Sequence, residues 1–422
     1  MSVAPYFLGS AVLACLLSAT AAWLQQPSAT SSGKRSDTVP EIPYPSGPFG
    51  VGRVGYDWVD VTRLDKYNRK RKRELMVYFW YPTAKSAGAK GQYLPGAAQI
   101  DAAPAVHDMM SQEFGNSWAL IVSGEISSHA IDGAPIARSR TPFRVITFSH
   151  GLGGTGFGYA VLIEDLVSRG YVVASIEHTY TAKAVLFPDG RLIAERNDPP
   201  HAGLSQAERM SWMMKQTLVG IDWGAADVRF VIDRMRQLNH DKQHFALAGA
   251  IDMERLSAMG HSAGAEFAAR ACQQDSRIYA CVDLDGAMVP VAALPVLGDD
   301  RKILQPLLFL EAFHPENNMG GSPDQIAEYK KVKEKQLQEL GPGSYDVVLR
   351  SPGIAHPSFS DVPLLFHGQD GYPEPPIALH NLDLITRFVR AFLDKTVLGE
   401  KQALFDGSTS PIPEATVTAY GH

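Results

Sequence analysis

The pentapeptide Gly260-His261-Ser262-Ala263-Gly264 constrains this chain more than any other stretch. Upstream, Arg255-Leu256-Ser257-Ala258-Met259 reads as a short buried strand. Downstream, Ala265-Glu266-Phe267-Ala268-Ala269-Arg270 is built of good helix formers. A G-x-S-x-G motif at such a junction turns the backbone sharply, with glycines on both sides of a serine whose hydroxyl projects from the turn. The helix that follows offers free N–H groups and the positive end of its dipole to a developing oxyanion. By itself the motif also describes an ordinary glycine-rich turn with a solvated serine. The strand–turn–helix context is what makes Ser262 a candidate nucleophile.

An activated serine needs a base and an acid to orient it, and on this architecture they follow in the chain order Ser, Asp/Glu, His. The run Ile278-Tyr279-Ala280-Cys281-Val282-Asp283-Leu284-Asp285-Gly286 reads as the next strand and ends in two carboxylates. Functional residues collect at the C-terminal ends of strands in open α/β sheets. Asp285, followed by Gly286, is the better placed, and Asp283 shares its face by the two-residue period. Either could instead cap a turn. Further on, Tyr345-Asp346-Val347-Val348-Leu349-Arg350 reads as a last strand, and the loop after it carries Gly353-Ile354-Ala355-His356-Pro357. Of the 13 histidines, His356 has the order and setting expected of the base. Asp361, five residues on, is the fallback acid.

The strand Arg144-Val145-Ile146-Thr147-Phe148 leads into Ser149-His150-Gly151-Leu152-Gly153-Gly154. An H-G-x-G-G loop after an early strand supplies the second oxyanion donor, so the backbone amides of Leu152 and Ala263 are the expected pair. A phosphate cradle is the competing reading of these glycines. It fails because no G-K-[ST] follows, and no G-x-G-x-x-G opens a helix with an acidic residue at the usual distance.

Taken together, Phe148-Ser149-His150-Gly151-Leu152-Gly153, Gly260-His261-Ser262, Leu284-Asp285 with Met288 and Pro290, and His356 with Phe359 and Asp361 resemble the platelet-activating-factor acetylhydrolases. These are the secreted plasma-type and intracellular type II enzymes, lipases that act at the second glycerol position of phospholipids. Val173-Ala174-Ser175-Ile176-Glu177-His178, Gln305-Pro306-Leu307-Leu308-Phe309 and the 23-residue interval from Ser262 to Asp285 are similar to the family too. The resemblance spans residues 45–395. It implies Ser262 as nucleophile, Asp285 as acid, His356 as base, Leu152 and Ala263 as oxyanion donors, and no cofactor or metal. The animal enzymes carry a bulky aromatic after the nucleophile and a tryptophan shortly after the acid. Here Ala263 and Gly286-Ala287 stand in those places, which implies a larger or reshaped acyl pocket.

Composition is that of one large globular enzyme domain: 45% hydrophobic and 20% charged over 422 residues. The net charge of −6 gives no reason to expect nucleic-acid binding. Strand–helix alternation over 144–395 predicts a mostly parallel central sheet flanked by helices, an α/β-hydrolase fold, with an insertion near 180–220. Residues 396–422 read as a C-terminal tail.

Residues 1–33 carry no charge. Their apolar run and the small residues Ala19-Thr20-Ala21 read as a signal peptide over 1–22, followed by a Pro/Ser/Thr-rich linker over 23–44. This predicts a secreted or extracytoplasmic protein. The alternative is an uncleaved membrane anchor, since no basic residue precedes the apolar run. With Cys15 in that segment, Cys272 and Cys281 could form one bond at most. Buried free thiols are the slightly favoured reading. No N-x-[ST] acceptor occurs, so N-glycosylation is not expected.

Strands are expected over 54–65 and 74–81, joined by Arg69-Lys70-Arg71-Lys72-Arg73. That run reads as a solvated hairpin loop, or as a contact for anionic lipid headgroups at roughly 1 kcal/mol per basic residue. Met210-Ser211-Trp212-Met213-Met214 reads as core packing at helical spacing, or as an adaptable acyl-binding face in the insertion.

These readings converge on a serine esterase that removes short acyl chains from the second position of phospholipids, a 1-alkyl-2-acetylglycerophosphocholine esterase. The alternatives are a general carboxylesterase or polyesterase, and a catalytically silent binding protein on the same fold. The oligomeric state is not legible.

Overall fold

A computed structural model describes residues 39–84, 90–196, 199–200, 202–286, 302–315, 322–366, 371–407 and 411–421. The expected signal peptide, most of the linker, and Ala287, Met288 and Pro290 lie outside the described residues.

Ten strands form one sheet: β1 (Gly50–Leu64), β2 (Lys72–Thr83), β3 (Ala130–Asp132), β4 (Phe143–Ser149), β5 (Tyr171–Glu177), β6 (Ile251–His261), β7 (Ile278–Leu284), β8 (Leu307–Ala312), β9 (Ser344–Leu349) and β10 (Ala415–Tyr420). Their spatial order is β10-β9-β8-β7-β6-β4-β5-β2-β1-β3. The six strands from β9 to β5 run parallel, while β10 and the long β1–β2 hairpin add antiparallel edges. Five helices frame the sheet and the site: α1 (Ala160–Ser168), α2 (Gln206–Leu238), α3 (Ala263–Gln274), α4 (Pro323–Gln338) and α5 (Pro375–Leu393).

The parallel strands are near-continuous apolar runs because both of their faces are covered. Ile146, Phe148, Val173, Met259, Val282, Leu308 and Leu310 pack on one side with α1 and α5. Their neighbours Val145, Val172, Ala258, Cys281, Leu307 and Phe309 pack on the other with α2 and α3. This is the α/β-hydrolase arrangement, and it sends the C-terminal ends of β4, β6, β7, β8 and β9 to one edge of the sheet.

Two expectations need correction. The strand at 345–350 is not the last, because β10, inside the stretch read as a tail, pairs antiparallel along β9. As an edge strand it is at most half-buried, so it carries no apolar run that would mark it in the sequence. Cys272 and Cys281 are not free thiols but form a disulfide, with their Cα atoms 6.7 Å apart. Cysteine counting treats the two as unrelated positions. In the fold α3 lies on the strand that follows it, and both side chains enter the same core cluster within bridging reach.

The basic run between β1 and β2 does not form a uniform patch. Arg73 is buried against Asp227, and Arg71 pairs with Glu74 at 3.2 Å. In the insertion, strands Ala184–Leu186 and Leu192–Ala194 form a hairpin ahead of α2, and Trp212, Met213 and Met214 lie half-buried on the first turns of that helix.

The disulfide closes a short loop, for which chain-entropy arguments give about 2–3 kcal/mol. A Cys272→Ala/Cys281→Ala variant should lose about that much in urea unfolding. Thiol titration of the denatured, unreduced protein should find neither cysteine free.

Candidate functional site

The strain of the elbow falls on the serine itself. Ser262 has φ 56° and ψ −126°, a region that non-glycine residues rarely occupy. Its N–H donates to the Leu284 carbonyl at 3.0 Å, and its carbonyl accepts from the Ala265 amide at 2.9 Å. The flanking glycines serve close approach. A Cβ on Gly260 would lie 2.1 Å from the Gly264 carbonyl oxygen, and one on Gly264 would lie 2.1 Å from that of Ser149. The start of α3 therefore rests directly on the end of β4. Ala263 is the first residue of α3, where an amide has no intrahelical acceptor.

The loop after β4 wraps this turn. A Cβ on Gly151 would come within 3.3 Å of the Ser262 Cβ. The Gly151 N–H donates to the Tyr159 phenol oxygen at 3.1 Å. Gly153, at φ 72°, donates to Thr181, and Gly154 accepts from Lys183, so the insertion hairpin pins the loop from outside. The Leu152 side chain is 59% exposed beside the site. Among the described residues, neither the Leu152 nor the Ala263 amide has a protein acceptor.

Asp285 follows β7 in a left-handed conformation, φ 49°, and is buried. Its Oδ2 accepts from His356 Nδ1 at 2.5 Å, and its Oδ1 accepts from the Ala312 N–H at 2.9 Å and from His314 Nε2 at 3.2 Å. Burial opposes the charge, but the two histidines and their hydrogen bonds outweigh it and hold the carboxyl far below the usual range. His356 opens the short turn His356–Phe359 after β9.

Asp283 and Asp361 occupy different environments. Asp283 is buried, accepts from the Gly286 N–H at 2.8 Å, and is pushed up to about 7 chiefly by burial. Asp361 caps α1 through the Ala160 and Val161 amides at 2.8 and 3.2 Å, and accepts from the Tyr93 hydroxyl. Ser149 and Ser257 are buried. Gly286 is a steric necessity as well as a loss of bulk, since a Cβ there would meet Asp283 at 2.6 Å and Ala265 at 2.7 Å.

Sequence reasoning missed three features. His261, beside Ser262, accepts from the Tyr159 hydroxyl at Nδ1 (2.8 Å) and donates from Nε2 to the His356 carbonyl (3.2 Å). Burial holds this imidazole well below the ordinary histidine pKa, so it stays neutral and keeps that tautomer. His314 is the second histidine on Asp285. Finally, Ser149, His178 and Asp227 form a second Ser–His–Asp series with 3.0 Å links, Arg63 and Arg73 bonding to the carboxylate. All three members are buried, out of reach of any substrate. The signals were a histidine inside the elbow motif and histidines just past strands β5 and β8. Isolated, each reads as a solvated residue.

Asp285→Asn should lower kcat for ester hydrolysis by roughly 10³–10⁴, through loss of the imidazole's orienting partner. Asp283→Asn should cost less than tenfold. Steady-state kinetics on both variants checks the ranking, and the reverse order would move the acid to Asp283.

Comparison with known proteins places the chain by family and by architecture. The family described as platelet-activating factor acetylhydrolase, isoform II, matches residues 34–369. A platelet-activating factor acetylhydrolase of Cavia porcellus is 24% identical over 64% of this chain and 60% of its own. The Canis lupus familiaris protein of that name is 28% identical over 49% and 50%. This chain thus spans about half to three-fifths of the length of these two relatives. A probable 1-alkyl-2-acetylglycerophosphocholine esterase of Arthroderma benhamiae is 23% identical over 88% of this chain and 92% of its own. In architecture the chain is similar to a ferulic acid esterase from Streptomyces cinnamoneus, with a TM-score of 0.66, 24% identity, and coverage of 90% of this chain and 100% of that one. On the extent of the family match, the chain belongs to the platelet-activating factor acetylhydrolase, isoform II, family.

Proposed function

We propose that this protein is a serine ester hydrolase that removes short acyl groups from the second glycerol position of phospholipids. Ser262 attacks the ester carbonyl while His356 takes its proton, Asp285 holds the resulting imidazolium, and the Leu152 and Ala263 amides receive the oxyanion. His356 then protonates the departing alcohol, and water, activated by the same imidazole, releases the acid from the acyl-serine. The observation that carries the reading is the 2.5 Å His356–Asp285 contact at the sheet edge where the strained Ser262 turn lies. The names of the relatives support the phospholipid substrate. No cofactor enters the proposed chemistry.

A second reading, a broader carboxylesterase acting on soluble or polymeric esters, is favoured by Ala263, which leaves the nucleophile uncrowded. Secretion is supported by the Cys272–Cys281 bond, since such bonds persist in oxidising compartments. No helix among the described residues is long and apolar enough to cross a membrane. An exposed apolar side chain at Leu152 would suit contact with a lipid surface.

Ser262→Ala and His356→Ala should each lower kcat by about 10⁴–10⁶, and the double variant should be scarcely worse, because the residues act as a unit. An organophosphate should label Ser262. Labelling elsewhere, or full turnover by Ser262→Ala, would overturn the assignment, and absence of p-nitrophenyl acetate turnover by the wild type would leave a silent binding protein.

Acyl preference separates the two substrate readings. Each methylene that finds room is worth about 0.8 kcal/mol, and a misfit loses transition-state binding. On phospholipids with acetyl, butyryl, hexanoyl and palmitoyl groups at the second position, kcat/KM should be similar for acetyl and butyryl and then fall. Ala263→Phe should sharpen the preference towards acetyl. A maximum at palmitoyl, or turnover of soluble esters alone, would remove the short-acyl phospholipid reading.

A further inference from the structure

Asp285 serves two histidines. One carboxylate oxygen accepts from His356, and the other accepts from His314 Nε2 at 3.2 Å and from the Ala312 amide. His314 lies two residues past β8, on backbone held in place by its neighbour. The Phe313 N–H donates to the Leu349 carbonyl at 2.8 Å, and the Arg350 guanidinium lies 4.5 Å from the centre of the Phe313 ring. The His314 side chain is 43% exposed, so it exchanges protons freely with solvent, while the carboxylate it touches is buried.

We propose that His314 is a positioning residue for the hydrolytic reaction and a second proton site on the catalytic carboxylate. Its Nε2–H holds Asp285 in line with His356 in both protonation states, because the titrating proton sits on the far nitrogen. Only the charge changes. In the transition state the proton of Ser262 resides on His356, and Asp285 stabilises that imidazolium. A cationic His314 draws on the same negative charge and opposes a second cation beside it. Protonation of His314 therefore slows the reaction separately from protonation of His356.

The charges around His314 favour this titration. Asp285 and Glu311 raise its pKa above the ordinary histidine value, while Lys333, which pairs with Glu311 at 2.5 Å, opposes them. His356 shares Asp285 from the opposite side. The Tyr329 phenol is kept neutral by burial and by Glu311 and Asp285.

The inference rests on the reading that Asp285 orients His356, and the test separates the two. It follows kcat/KM of the full-length protein for p-nitrophenyl acetate from pH 5 to 9. In the wild type, log kcat/KM should fall on the acid side with a slope exceeding 1 over part of the limb. His314→Gln keeps a donor but cannot charge, and its limb should reduce to a single proton with slope 1 and a midpoint at lower pH, because the inhibitory proton on His314 is gone. His314→Ala loses the donor as well, and its kcat should fall about three- to tenfold below that of His314→Gln with KM little changed. A single-proton limb in the wild type, or one superimposable on that of His314→Gln, would overturn the second proton site whether or not either variant folds well. Equal kcat in the Gln and Ala variants would overturn the positioning role. If Asp285→Asn retains wild-type kcat, the reading of the site fails; if it falls while the His314 variants behave as wild type, only this inference fails.

Discussion

The imidazole of His261 holds the edge of the sheet together as a working surface. One nitrogen takes the Tyr159 hydroxyl, whose oxygen in turn accepts from the Gly151 amide. The other nitrogen holds the backbone of His356. A single neutral ring thus spans the loop after β4, the turn after β6 and the loop after β9. A charged ring would have to donate from both nitrogens and would turn away the Tyr159 proton. Burial prevents this by making the cation costly, so the apolar packing around the site fixes a hydrogen-bond direction.

Much of the architecture was legible because the central strands are covered on both faces. Their apolar runs at 144–148, 173–177, 278–284 and 345–349 stand out against the polar connections. Order along the chain then sorted the candidates, since Ser262, Asp285 and His356 each follow a strand whose end reaches the same edge. What could not be read depends on approach between distant segments. β10 is a half-exposed strand with no hydrophobic signature, and the Cys272–Cys281 bond exists because a helix folds back over the strand after it. His314 and Tyr159 carry no local pattern at all. Their partners lie 29 and 102 residues away.

The two carboxylates of β7 show how little separates neighbouring roles. Asp283 and Asp285 lie two residues apart and are both buried, yet they are displaced in opposite directions. Asp283 accepts from one backbone donor and lies near the charges of Asp285 and Glu311, so desolvation prevails over the smaller pull of Lys333. Asp285 turns into a left-handed conformation that brings it two imidazoles and an amide, and there the partners prevail.

The buried Ser149–His178–Asp227 series bears on how the molecule assembles. Asp227 sits on α2, and its guanidinium partners Arg63 and Arg73 come from β1 and β2, 164 and 154 residues earlier in the chain. His178 and Ser149 transmit that anchorage to the residue just ahead of the Gly151 loop. The ledge beneath Ser262 is therefore complete only once the amino-terminal hairpin has docked against a helix from the middle of the chain. Contacts so far apart in sequence cost loop-closure entropy before they return stability, which makes them slow to form. A nascent chain that has closed its parallel strands but not captured this hairpin would hold a folded core with an unfinished edge.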